Sequence, residues 1–182
     1  LRLIGRAASR PQRAPDQLAA LEHVLALLKR RPEAAGLLHR DFFSITREVC
    51  RRGGARESCG IGRKVVFLDA DGSVYPCPNH RVDAFCCGDA TQVSMADIVR
   101  ESAVIRAVRR DYRVERYPGC RGCLVRPWCA GDCRGEVLAL HGDHRREAPH
   151  CEEMRQLVLR LMWLVADGDP RLAAPGAGET FV

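Results

Sequence analysis

The stretch Cys120–Glu136, CRGCLVRPWCAGDCRGE, sets four cysteines in the spacing C-x2-C-x5-C-x3-C. Two thiolates two residues apart on a tight turn can reach one metal centre, and both zinc and iron–sulfur sites use that arrangement. Cys120, Cys123, Cys129 and Cys133 would suffice for one four-coordinate site, yet more cysteines flank them. Upstream, Cys59, Gly72 and Cys77 read C-x12-G-x4-C, and downstream Cys151 stands alone at the head of a helical stretch. These seven are an odd number for four-coordinate sites. Cys50 would make eight, two complete sets. Cys86 and Cys87, in AFCCGD, bring the total to ten. Adjacent residues on an extended chain point to opposite sides, so both cannot easily bind one iron. At least one is read as structural filler, the other left open as a spare ligand or redox-labile thiol.

Ten cysteines in 182 residues point to disulfides or to metal. The opening LRLIGRAASRPQRAP lacks the apolar centre of a signal peptide, and no run of 18 apolar residues occurs. The expectation is therefore a cytoplasmic chain, without a membrane span, whose thiols stay reduced for metal. The first residue is Leu, so the chain reads as a fragment or truncated gene product, with a stand-alone module the other reading. The net charge is +6, with Lys29 and Lys64 the only lysines. No basic run is interleaved with stacking aromatics, so a solvated arginine-rich surface is expected rather than a nucleic-acid partner.

Working outward, Asp16 caps a helix whose face carries Leu18, Leu21, Leu25 and Leu28. Pro32 opens a second helix with Leu38, Phe42, Ile45 and Val49 inward, ended by Gly53 and Gly54. KVVFL and SVYPC flank Asp69-Ala70-Asp71-Gly72, which reads as a hairpin delivering Cys77. Ser94 caps a third helix bearing Met95, Ile98, Ile105 and Val108. A helical turn is expected at Glu136–His141. A last helix after Pro149 turns Met154, Leu157, Val158, Leu161 and Val165 inward. The fold class is a small α+β domain: a β-hairpin, cysteine-rich loops and flanking helices. Residues 1–15 read as a flexible arm, 16–54 as a helical bridge, 55–167 as the cysteine-bearing domain and 168–182 as a disordered tail.

Cys59 to Cys151 resembles the SPASM domain, the C-terminal auxiliary module of many radical S-adenosylmethionine enzymes that modify peptides. The family pattern, C-x9–15-G-x4-C, a gap, C-x2-C-x5-C-x3-C, a gap and C, is met at all seven cysteines and at Gly72. The resemblance implies two auxiliary 4Fe–4S clusters with interleaved ligands. Cys120, Cys123, Cys129 and Cys151 would hold one. Cys59, Cys77 and Cys133 would hold the other, with Cys50 the candidate fourth ligand; a buried apolar thiol is the competing reading of Cys50. Trp128, Val125 and Pro127 would sit beside the thiolates and exclude water, although plain core packing accounts equally for Trp128. His80, His141, His144 and His150 are read as solvated or capping rather than as cluster neighbours.

The radical core's own C-x3-C-x2-C motif is absent. Cys129-x3-Cys133 comes nearest, but Glu136 stands at the third place. A barrel of about 250 residues does not fit either, and the helices before Cys59 would be the end of such a barrel or a bridge to it. The chain alone is thus not expected to cleave S-adenosylmethionine. Sulfatase-maturing relatives place a proton-accepting Asp directly after the G-x4-C cysteine; Pro78 stands there, which disfavours that activity. Asp83 and Asp89 read as surface turn carboxylates, and no catalytic residue is assigned. The expected role is electron transfer or docking of a peptide or protein substrate, with a radical core in cis or in trans. The alternative is a structural zinc module used for binding.

Overall fold

The computed structural model describes residues 16–39, 44–50 and 56–172. The expected arm 1–15, Phe42, Gly53, Gly54, the side chain of Leu38 and residues 173–182 lie outside the described residues. In chain order the elements are α1 (Gln17–Leu28), α2 (Ser44–Cys50), β1 (Phe67–Leu68), β2 (Ser73–Tyr75), β3 (Gly88–Asp89), α3 (Met95–Glu101), α4 (Ala103–Asp111), α5 (Arg126–Cys129), α6 (Arg134–His141) and α7 (Cys151–Ala166). Short 3-10 segments lie between them, among them Pro32–His39, Pro78–His80 and Pro170–Leu172. The fold is small α+β, as expected.

The first layer is helical. The Asp16 carboxylate accepts from the amides of Leu18 and Ala19 at 2.9 and 3.1 Å, satisfying two donors that α1 itself cannot pair. Leu21, Leu25 and Leu28 recur at helical spacing and are buried against Met154, Leu157, Val158, Leu161 and Leu164 of α7 and Val49 of α2. Three features differ from expectation. The stretch opened by Pro32 is a 3-10 helix to His39, and α2 is a separate seven-residue helix. Leu164, not Val165, takes the last inward place on α7, with Val165 41% exposed. The chain folds back after α7, with the Asp169 amide donating to the Leu164 carbonyl and Leu172 entering the same core. Residues 168–172, assigned in sequence to a disordered tail, are therefore docked. Arg171 clamps that turn through Asp169 and the Leu25 carbonyl.

The second layer is a small antiparallel sheet in the order β1-β2-β3. Phe67 pairs with Tyr75 and Leu68 with Val74. The Asp69–Gly72 turn closes the hairpin, with the Gly72 amide donating to the Asp69 carbonyl and Gly72 at φ +92°. β3 pairs Gly88 with Val74, a strand that two residues of Gly-Asp do not announce. The expected third helix is two. Ser94 caps α3, and Ser102, at φ −59° and ψ 124°, interrupts the run and caps α4. α6 is a full helix from Arg134. Ile61, Val108 and Tyr112 form a second small core, against which Cys59, Cys77 and Phe85 pack.

Candidate metal centres

The cysteines sort into two places. Cys120, Cys123, Cys129 and Cys151 line a cavity of about 30 Å³, together with Val125 and Arg134. Cys59, Cys77 and Cys133 line a larger cavity of about 280 Å³, with Arg56, Ile61 and Asn79. Cys129 and Asp132 border both, so the 129–133 loop is the wall between them. Ala130, Gly131 and Asp132 have φ of 54°, 85° and 59°, three successive left-handed residues. For the two with side chains this conformation costs about 1–2 kcal/mol each. It reverses the chain between Cys129, which borders both cavities, and Cys133, which borders only the larger one. Around Cys120 the chain turns within 3-10 geometry opened by Pro118, and the Cys123 amide donates to the Cys120 carbonyl. Cys151 begins α7, whose buried stripe anchors it to the helical layer.

Backbone amides aim at these sulfurs. Gly131 and Asp132 donate to Cys129, Ile61 to Cys59, and Asn79 and His80 to Cys77. Burial nevertheless dominates. It pushes the Cys77 and Cys151 thiols up to about 11 and Cys129 up to about 12, and it raises Cys59 and Cys120. Thiols so desolvated ionise only when a cation takes the proton's place. Burial raises Cys87 to about 11 as well, so this property alone does not single out a ligand.

The Pro78–His80 turn supplies side-chain donors too. Asn79 Nδ2 donates to the Cys133 sulfur at 3.2 Å. His80 Nδ1 lies 3.1 Å from the Cys77 sulfur and its Nε2 lies 2.9 Å from the Tyr112 hydroxyl. If Cys77 is a thiolate, Nδ1 must carry the proton, and Tyr112 then donates to Nε2. Burial holds the His80 imidazole down at about 4, which keeps it neutral. His80 is 1% exposed, so its reading as solvated or capping is corrected. A lone histidine after a proline gives no sign of this in sequence. His144 stacks on Tyr112 at 4.1 Å, while His150 lies 3.6 Å from the Glu136 carboxylate and His141 is exposed.

Cys50 lines neither cavity. Its thiol donates to the Leu172 carbonyl at 3.8 Å and packs on the helical core. On the same short helix Ile45 borders the larger cavity, and five residues of helix turn Cys50 about 140° away from it. Cys86 is exposed and Cys87 bonds the Phe85 carbonyl; neither borders either cavity. Val125 is buried at the first cavity, and Trp128 packs on the helical core. Pro78 borders the second cavity, and Asp83 and Asp89 are exposed.

Among the described residues, no three Cys, His, Asp or Glu side chains converge as a single ion would require. The thiols stand around spaces instead. An all-thiol donor set fits an iron–sulfur cluster as well as zinc, and the wall of the smaller cavity includes a buried cation. Arg134 is 2% exposed and its Nε has no acceptor among the described residues. An uncompensated buried donor beside four thiols fits an anionic occupant.

Residues 59–124 match the family model of SPASM, an iron–sulfur cluster-binding domain. That segment is similar to the SPASM family, which is described as an iron–sulfur cluster-binding domain. The match reaches Cys59, Cys77, Cys120 and Cys123 and stops short of Cys129, Cys133 and Cys151, which the cavities bring into the same sites. An uncharacterized protein of Archaeoglobus fulgidus is 31% identical over 114 residues, 62% of this chain and 26% of the relative. The chain thus spans about a quarter of that relative's length. No described helix is long and apolar enough to cross a membrane.

Proposed function

We propose that the chain is the auxiliary part of a cytoplasmic radical S-adenosylmethionine enzyme acting on a ribosomally made peptide or protein, and that it holds two 4Fe–4S clusters. Cys120, Cys123, Cys129 and Cys151 hold one, and Cys59, Cys77 and Cys133 hold the other. Cys50 is outside the set. A radical core, in cis or in trans, supplies S-adenosylmethionine chemistry that this chain lacks.

The observation that carries the reading is that seven cysteines, distant in sequence, line two cavities: Cys120, Cys123 and Cys151 only the smaller, Cys59, Cys77 and Cys133 only the larger, with Cys129 on the loop that borders both. A 4Fe–4S cluster supplies one-electron transfer when fully thiolate-bound, and an open ligand position when three thiolates hold it. The protein's part is to fix the thiols, exclude water through Val125 and Ile61, and orient hydrogen bonds from Asn79 and His80. The larger cavity, with Arg56, Ile61 and Val65 on its wall, is where a substrate would dock.

The test is anaerobic reconstitution of the whole chain followed by iron and sulfide analysis. Eight irons per chain with brown charge-transfer absorption are expected. Saturation at four irons overturns the two-cluster reading, and a colourless protein carrying only zinc overturns the iron–sulfur reading. With S-adenosylmethionine and reductant, the same protein is expected to release no 5′-deoxyadenosine above a protein-free blank.

A further inference from the structure

Arg134 follows Cys133 directly, yet the two residues border different cavities. Cys133 lines the three-thiol cavity, and Arg134 lines the four-thiol one. A guanidinium 98% removed from solvent is costly unless an anion or acceptors compensate it. Arg134 has part of that compensation. Its Nη1 donates to the carbonyls of His144 and Arg146 at 3.0 and 2.9 Å, and its Cζ lies 4.6 Å from the centre of the Tyr117 ring. These contacts leave Nε without an acceptor among the described residues. They also hold the side chain in place, because Tyr117, itself 2% exposed, backs it and the 144–146 loop grips its end. A fixed, buried, incompletely paired cation on the wall of a four-thiol cavity is a device for stabilising negative charge there.

We propose that Arg134 is the charge-compensating residue of the four-thiol centre: its guanidinium offsets the thiolate-bound cluster's negative charge and raises that cluster's reduction potential. The proposal rests on the iron–sulfur reading above. Reduction adds one negative charge, so a fixed cation in a low-dielectric site favours the reduced form. The cation sits on the residue after a ligand of the other centre, so one dipeptide serves both cavities. Arg134 acts through the cluster's environment and is a positioning residue, not a ligand.

The experiment compares the reconstituted whole chain with Arg134→Lys, Arg134→Gln and Arg134→Met, reading iron content and midpoint potentials by paramagnetic-resonance titration. Two loaded clusters in the unaltered chain are the precondition; their failure to form counts against the iron–sulfur reading, not against Arg134. The expected result is a lower potential for the four-thiol centre in Arg134→Gln and Arg134→Met. The shift should be at least tenfold in the one-electron equilibrium, about 59 mV, and largely restored in Arg134→Lys. If the uncharged variants lose four irons while Arg134→Lys keeps all eight, the charge is again what matters. Unshifted potentials in a fully loaded Arg134→Gln or Arg134→Met overturn the proposal. So does Arg134→Lys behaving like Arg134→Gln, which would leave Arg134 only the carbonyl clamp on the 144–146 loop.

Discussion

At the scale of single residues, the Pro78–His80 turn sets the three-thiol cavity apart. Asn79 and His80 each direct a side-chain nitrogen at a cysteine sulfur, and Tyr112 fixes the His80 ring from behind. Hydrogen bonds to a ligand sulfur withdraw charge from it and favour reduction of the cluster. Replacing His80 with Phe preserves the ring's packing against Phe85 and Tyr112 but removes the donor. The expected outcome is full iron, a lower potential for the three-thiol centre alone, and a stability loss of about 1–3 kcal/mol from the stranded Tyr112 hydroxyl. Redox titration and denaturant unfolding check the two effects. The opposite expectation holds for Cys50→Ala. Its thiol is spent on the Leu172 carbonyl, so iron content and spectra should equal those of the unaltered chain. Loss of iron in that variant would return Cys50 to the ligand set. The cysteines that line the cavities were legible in sequence because their spacing is a pattern. His80 and Arg134 were not, because a lone histidine or arginine looks the same in sequence whether it is solvated or buried.

At the scale of elements, α6 and the Pro78–His80 turn touch so closely that only glycine fits between them. A β-carbon on Gly135 would lie 2.5 Å from Asn79 Cβ and 2.6 Å from the Asn79 carbonyl oxygen. Neither atom is the free end of a flexible chain, so Gly135→Ala must push the turn off the helix. A cost of about 1–3 kcal/mol is expected, as for other overpacked contacts. The Asn79–Cys133 hydrogen bond should lengthen with it, so the three-thiol centre should lose iron to a chelator faster than the four-thiol centre. Chelation kinetics with thermal unfolding measure both; equal rates for the two centres would show that this contact does not support one of them preferentially. Helical periodicity and the Asp-Gly turn made α1, α7 and the hairpin readable. The break between α3 and α4 escaped because Ser102 caps a helix inside an apolar stripe that continues past it, with neither glycine nor proline to mark the place. Val165 was misplaced because periodicity gives a helix its face but not its neighbours. The turn ending in Leu172 folds back beside Leu164, and no repeat in the sequence predicts that contact.

At the scale of the whole molecule, the 129–133 loop makes the two cavities interdependent, because it carries thiols for both. The loop runs through three left-handed residues and is closed by hydrogen bonds from its own amides to Cys129. Its conformation therefore depends on what holds its two ends. In the proposed division a cluster would tie Cys129 to Cys120, Cys123 and Cys151, hence to α7 and the helical layer. Another would tie Cys133 to Cys59 and Cys77, hence to the second core. Ligation free energy becomes folding free energy for the segments it joins, so each ligand's removal should loosen a defined set of segments. Cys151→Ala should lower hydrogen-exchange protection in the first turns of α7 and in 118–129, while 73–80 keeps its own. Cys133→Ala should lower protection in 59–62 and 73–80 and leave the start of α7 as protected as before. The buried stripe of Leu157, Val158 and Leu161 is common to both variants and should keep the helical layer intact. A sequential arrangement, with Cys120, Cys123, Cys129 and Cys133 holding one cluster alone, predicts something else. Cys133→Ala would then deprotect 118–129, and Cys151→Ala would change nothing beyond its own turn. Exchange mapped on the two loaded variants separates these outcomes segment by segment, and loss of protection in the same segments for both variants would rule out the interleaved division.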